Sequence, residues 1–386
     1  MTISSLQRVL DDAVVSDLVG VAGIVYYNGK VIFEGVAGNR SSAGDEKLKI
    51  TDHFRIASMT KAITSVAILQ LIEKGKLVLD QDSGTILSFM KDIPVLEGFD
   101  ADKKPILRPK KGPVTIRQLL THSAGLTYGF LNGMDGEYYA NTGYAPIGAG
   151  KRAAFANIFL ARDPGTQWEY GINTDVLGLV VEKVTGQSLA VYMLENILNP
   201  LKMNSTGWKA ATYADDLVPV HARLPDGSLA VIPFEFPQDF DFEAGGGGLY
   251  STVRDYIRFA SMILNKGTLD GVQILKAETV ALASQNHLGD LRPMALKSYD
   301  KTLTLDIDLM SGYETTWGLG FLINTEDIPN MRSAGSLAWA GIFNTYFWID
   351  PKNNVTAVFA TQLLPFVDTK AVEQFTKFER AVYVIQ

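Results

Sequence analysis

Two β-hairpin signals at opposite ends of the chain constrain its fold more than any other feature. Near the N-terminus, VAGIVYY and KVIFEGVAG flank Asn28-Gly29, a dipeptide suited to the positive-φ positions of a two-residue hairpin turn. Near the C-terminus, SLAWAGIFNTYFWID and VTAVFATQ flank the turn Pro351–Asn354, and WGLGFLIN alternates just before them. The middle of the chain is mixed and largely helical. The simplest arrangement pairs the two end hairpins in one antiparallel sheet, covers it with helices expected over 3–17 and 367–384, and inserts a helical part between them. The expected fold class is therefore α/β in the α+β sense. Residues 1–80 and 245–386 would form the sheet domain and residues 81–244 a mainly helical insertion, with an active site in the cleft between them.

Within that frame, FRIASMTKAITSVAILQLIEKGK predicts a short apolar run, a turn at Ser58 and a long helix to about Lys74 that stops at Gly75. VTIRQLLTHSAGL reads as a helix, and the Gly-, Tyr- and Asn-rich stretch 127–150 as a long functional loop. A further helix is expected from about Thr174, with Asn173 as its cap. GGGGLYSTVRDYIRFASMILNKG reads as a glycine loop entering an amphipathic helix.

Composition narrows the function. With 386 residues, 47% of them hydrophobic and 20% charged, the chain can bury a substantial core. Its net charge of −7 argues against nucleic acid or an anionic membrane as partner. The absence of cysteine removes disulfides and thiolate chemistry. The first residues are amphipathic and acidic, unlike a signal peptide, so a cytoplasmic location is expected. The histidines His53, His122, His221 and His287 show no metal-ligand spacing, no G-x-S-x-G elbow occurs, and the glycine run 245–248 lacks the lysine of a phosphate loop. No metal or cofactor is expected, and His122 reads as structural.

Ser58 and Lys61 stand three residues apart, almost one helical turn, so hydroxyl and amine share a face. An amine there can take the hydroxyl's proton and make it a nucleophile. The spacing alone is weak, because Ser88–Lys91 and Ser298–Lys301 repeat it. Only the first pair stands where a strand runs into a long apolar helix, whose N-terminal N–H groups can stabilise an oxyanion.

Ser58-Met59-Thr60-Lys61 in its FRIAS-helix setting resembles the first motif of the serine β-lactamase and penicillin-binding-protein superfamily. Tyr170 in WEYGIN resembles the second motif. Trp339-Ala340-Gly341 stands where the third usually reads Lys-Thr-Gly. A tryptophan in that place resembles the family VIII carboxylesterases, which share the class C β-lactamase fold. PVLEGFD, LLTHSAGLTYGF and GGGGLYSTVRDY extend the likeness over nearly the whole chain, and the same segments are similar to a fungal side-chain acyltransferase.

The resemblance implies an acyl-enzyme on Ser58, proton transfer shared by Lys61 and Tyr170, and an oxyanion hole from the backbone N–H groups of Ser58 and Ile342. Trp339 cannot recognise a carboxylate as the usual lysine does, and Tyr170 and Asn173 depart from the Tyr-x-Asn spacing. Both departures favour an uncharged small-molecule ester over a lactam. The expected activity is hydrolysis of short-chain small or aryl esters, with acyl transfer to an alcohol, or weak β-lactamase or D-amino peptidase activity, as alternatives. Trp339, Gly341, Asn173 and Tyr128 are the expected substrate contacts, with Phe130, Tyr138 and Tyr139 as further candidates for an apolar pocket.

Overall fold

The computed structural model describes residues 3–384 apart from 309 and 311. Seven strands form one antiparallel sheet: β1 (Gly20–Tyr27), β2 (Lys30–Gly38), β3 (Thr315–Trp317), β4 (Leu322–Asn324), β5 (Leu337–Gly341), β6 (Thr345–Asp350) and β7 (Val355–Ala360). Their order is β3-β4-β5-β6-β7-β1-β2. The two chain ends meet at β1–β7, with Ala22 opposite Ala360 and Tyr27 opposite Val355. The turn at Asn28-Gly29 has φ of 47° and 87°, the left-handed pair that an Asn-Gly turn supplies.

Both faces of the sheet are covered, so every residue of β6 and β7 is buried. TYFWID and VTAVFA are consequently mostly apolar with no inside–outside alternation, and their Thr345, Asp350 and Thr356 are buried as well. Helices α1 (Ile3–Ser16) and α5 (Thr369–Val384) pack together on one face. The approach is close enough that a Cβ at Gly23 would sit 2.8 Å from the Phe378 ring. Helix α4 (Val253–Leu264) covers the other face against β1, β6 and β7. Arg332 and Glu379 form a bidentate ion pair at 2.6 and 2.7 Å under α5, both nearly inaccessible to solvent.

Helix α2 (Thr60–Glu73) is buried from Thr60 through Leu71 and packs against α3 (Asn173–Thr185). A helix enclosed on all sides carries apolar residues all round, which is why TKAITSVAILQLIE shows no polar face.

Three local expectations change. The 127–150 stretch is not all loop: Gly133–Thr142 is a helix, capped by the Asn132 side chain and ended at Gly143. Only Ile116–Leu120 of VTIRQLLTHSAGL is helical, opened by a capping box of Thr115 and Gln118. The part expected to be mainly helical also holds a hairpin, Pro94–Phe99 with Pro105–Pro109. Its prolines hid it, since they suit edge strands alone.

Candidate active site

Ser58 follows a short strand, Phe54–Arg55, that pairs with Tyr250–Ser251. It lies in the 3-10 turn Ala57–Met59 that leads directly into α2. Ala57 has φ 43°, an uncommon conformation for a residue with a Cβ. Strain of this kind persists only where the surroundings hold it, and Ala57 belongs to a small buried cluster with Val220, Phe343 and Leu364.

One turn later, Lys61 is 1% exposed. Its Nζ donates to Ser58 Oγ at 3.1 Å, to Tyr128 Oη at 3.0 Å and to the Gly246 carbonyl at 2.6 Å. Three oxygens therefore surround the amine, from three separate segments of the chain. The amine meets Tyr170 through its ring face, 4.8 Å from the centroid. Tyr170 Oη in turn accepts from Trp339 Nε1 at 3.0 Å. Trp339 stands on β5 opposite Phe347 and is held edge-on against Trp317, with ring centroids 4.6 Å apart. The first, second and third motif positions therefore form one contact chain. The other two serine–lysine pairs stand apart from it: Ser88–Lys91 is a short helix of its own, and Lys301 pairs with Asp306.

Burial, with the negative charge of Asp175 and the neighbouring Tyr170, pushes the Tyr128 phenol well above its ordinary range. His122 is buried behind Tyr170, 4.7 Å between ring centroids. Desolvation first, and the charge of Lys61 second, hold His122 well below the ordinary imidazole range, so it is a neutral packing group.

Asn173 is corrected on both counts. It is the first residue of α3, not its cap, and Ile172 holds the cap position. It is fully buried, and its Nδ2 lies 2.9 Å from His122 Nδ1 and 3.3 Å from the Leu126 carbonyl. With two residues between it and Tyr170, the helical turn carries it away from the cavity. Tyr138 and Tyr139 also lie elsewhere, packed with Leu96 and Phe159. Gly341 acts through its backbone: a Cβ there would meet the Ile56 carbonyl at 2.4 Å and Thr345 Oγ1 at 2.3 Å. Its lack of a side chain lets β5 approach the nucleophile turn and sets Ile342 beside it.

Ser58, Tyr128, Phe130, Tyr170, Trp339 and Ile342 line a cavity of about 510 Å³. Much of its far wall comes from PFEFPQDFDF, which supplies Phe234, Phe236, Phe240 and Phe242. This wall was missed in the sequence, although phenylalanine at nearly every second position beside prolines was a readable sign of an extended apolar lining. Arg55 ties it down through Glu235 at 2.6 Å, and Lys151 through Asp239 at 2.8 Å. Among the described residues lining the cavity, the charged side chains are Asp175 and Glu235, both acidic. Asp175 was also missed: an acid in the first turn of a helix ordinarily reads as a partner of the helix dipole.

The surrounding chain has many relatives. A monacolin J acid methylbutanoyltransferase from Aspergillus terreus is 32% identical over 352 residues, covering 87% of this chain and 83% of that protein. A lovastatin esterase from Penicillium rubens is 32% identical over 366 residues, covering 88% and 87%. The unliganded structure of simvastatin synthase (LovD) from Aspergillus terreus superposes with a TM-score of 0.85 at 28% identity, covering 99% of this chain and 98% of that one. Enzymes that transfer acyl groups and enzymes that hydrolyse esters thus share this sequence pattern. With the Beta-lactamase family model matching residues 6–377, the chain belongs to the beta-lactamase family of serine hydrolases and acyltransferases.

Proposed function

We propose that the protein is a serine carboxylesterase of the family VIII type. It would remove a short acyl group from a bulky, uncharged, apolar alcohol or aryl partner. The observation that carries this reading is the charge of the cavity: its charged lining residues are acidic, and the third-motif position holds Trp339 in place of a lysine. The lining itself offers a substrate carboxylate no cation: Lys61 lies behind it with its amine engaged by Ser58, Tyr128 and the Gly246 carbonyl, and Arg55 is already paired with Glu235. A volume of about 510 Å³ suits an ester larger than the small ones expected from sequence.

In this mechanism Ser58 Oγ attacks the ester carbonyl as its proton passes to the cluster of Lys61 and Tyr170. The base is assigned to the pair, because the Lys61 amine lies 3.1 Å from Ser58 Oγ and 4.8 Å from the Tyr170 ring centroid. The backbone N–H groups of Ser58 and Ile342 hold the oxyanion. The C–O bond to the alcohol breaks, and the cluster returns the proton to the leaving oxygen. Water then repeats the sequence on the acyl-enzyme and frees the acid. The cavity is assigned to the junction between the part formed by residues 1–80 and 245–386 and the part formed by residues 81–244.

A second reading, transfer to an alcohol instead of water, is favoured by the methylbutanoyltransferase among the relatives. Both readings are tested with p-nitrophenyl butyrate, with and without an added apolar alcohol, beside nitrocefin. Ester turnover that disappears in Ser58→Ala is expected, with nitrocefin much slower. Activity retained in Ser58→Ala would overturn the mechanism. A new ester formed faster than free acid would make transfer the main reaction.

A further inference from the structure

Asp175 stands in the first turn of α3, is 4% exposed, and lines the cavity. Its Oδ1 accepts the Gly246 N–H at 2.9 Å, while the Gly246 carbonyl accepts from Lys61 Nζ at 2.6 Å. One residue thus has its N–H on a carboxylate and its C=O on the amine beside the nucleophile. The contact needs glycine: a Cβ at position 246 would lie 2.4 Å from Asp175 Oδ2. The charges also feel one another. Desolvation holds the Asp175 carboxyl above its ordinary range, and the charge of Lys61 opposes that. A plain helix-dipole role would leave the carboxylate at the helix end in solvent. Here it reaches out of its own helix to the glycine loop and is enclosed by the groups around Ser58.

We propose that Asp175 is a positioning residue for Lys61, fixing through Gly246 the carbonyl that orients the amine and supplying its buried counter-charge. The inference rests on the acyl-enzyme reading above. The titratable groups that feel the Asp175 charge are Lys61 from α2 and Tyr128 from the loop before the Gly133–Thr142 helix, and Tyr170 from the turn before α3 lines the same cavity. When the Ser58 proton enters this cluster, the positive charge it creates lies near a carboxylate already in place. No rearrangement is then needed during the reaction.

The test is Asp175→Asn, which keeps an oxygen for the Gly246 N–H and removes the charge. The expected result is a fall in kcat of about tenfold or more with KM unchanged, the range that slight misplacement of a reacting group produces. The acid limb of the kcat/KM profile is also expected to move to lower pH, because the carboxylate no longer holds a proton on the cluster. An unchanged kcat, or a loss with the pH profile unmoved, would overturn the proposal.

Thermal unfolding of Lys61→Ala, Asp175→Asn and the double variant gives a second readout, independent of turnover. Each single change leaves a buried charge uncompensated and should lower Tm, whereas the double variant should recover part of the loss. Additive losses would overturn the proposal even if Asp175→Asn folds too poorly to assay. Ser58→Ala separates the two levels: activity there sinks the acyl-enzyme reading, whereas a dead Ser58→Ala beside a normal Asp175→Asn sinks only the role of Asp175.

Discussion

Trp339 Nε1 donates to Tyr170 Oη at 3.0 Å, joining the third motif position to the second through a neutral donor. That bond fixes the phenol oxygen and leaves the tyrosine's own hydrogen to point elsewhere. Trp339→Phe would keep the apolar wall and lose the donor. A neutral hydrogen bond contributes about 1 kcal/mol, so kcat on p-nitrophenyl butyrate should fall about five- to tenfold, with little change in KM. An unchanged kcat would show that packing alone holds Tyr170.

Tyr128 occupies one of the three donor sites of Lys61. Its phenol, pushed well above the ordinary range by burial, stays protonated through the assay range. Tyr128→Phe should therefore lower kcat by about tenfold while leaving the alkaline limb of the pH profile in place. Disappearance of that limb in the variant would make Tyr128 the titrating group.

Gly341 marks the closest approach of β5 to the nucleophile turn. In Gly341→Ala the new Cβ would have to displace the Ile56 carbonyl, 2.4 Å away, separating Ile342 from Ser58. We expect at least about a hundredfold loss of kcat, the typical cost of one oxyanion donor. Circular dichroism should show a folded protein. Full activity would place the oxyanion donors elsewhere.

Asp135 predicts a pH effect on stability unrelated to catalysis. Burial in the first turn of the Gly133–Thr142 helix pushes its carboxyl from 3.8 up to about 7. Between those values the folded protein keeps a proton that the unfolded chain gives up. Stability attributable to this group is therefore full below about 4 and is lost as pH rises to about 7. Asp135→Asn should raise Tm at pH 8 relative to the parent and change it much less at pH 4. Equal shifts at both values, measured by scanning fluorimetry, would contradict the assignment.

Part of the candidate site carries a signal in the sequence alone. Ser58, Lys61, Tyr170 and Trp339, each marked in the sequence by spacing or motif context, lie in one contact chain. Asn173 misled because a polar residue at a helix start resembles a cap or a ligand. Only the packing of His122 against Tyr170 reveals that its amide is spent in the interior. Tyr138 and Tyr139 misled for a similar reason: aromatic content does not say which of two apolar clusters a side chain joins.

The sequence by itself determined the end-to-end sheet, the buried helix after Ser58 and the serine–lysine pair on its face. Those follow from local periodicity, turn chemistry and spacing, which act over a few residues. The tertiary structure alone decided that Tyr128 and the Gly246 carbonyl complete the lysine's hydrogen bonds, that Asp175 backs them, and that Phe234–Phe242 close the cavity. These groups come from segments far apart in the chain. No local rule links them, and their meeting depends on how the helices and the sheet pack.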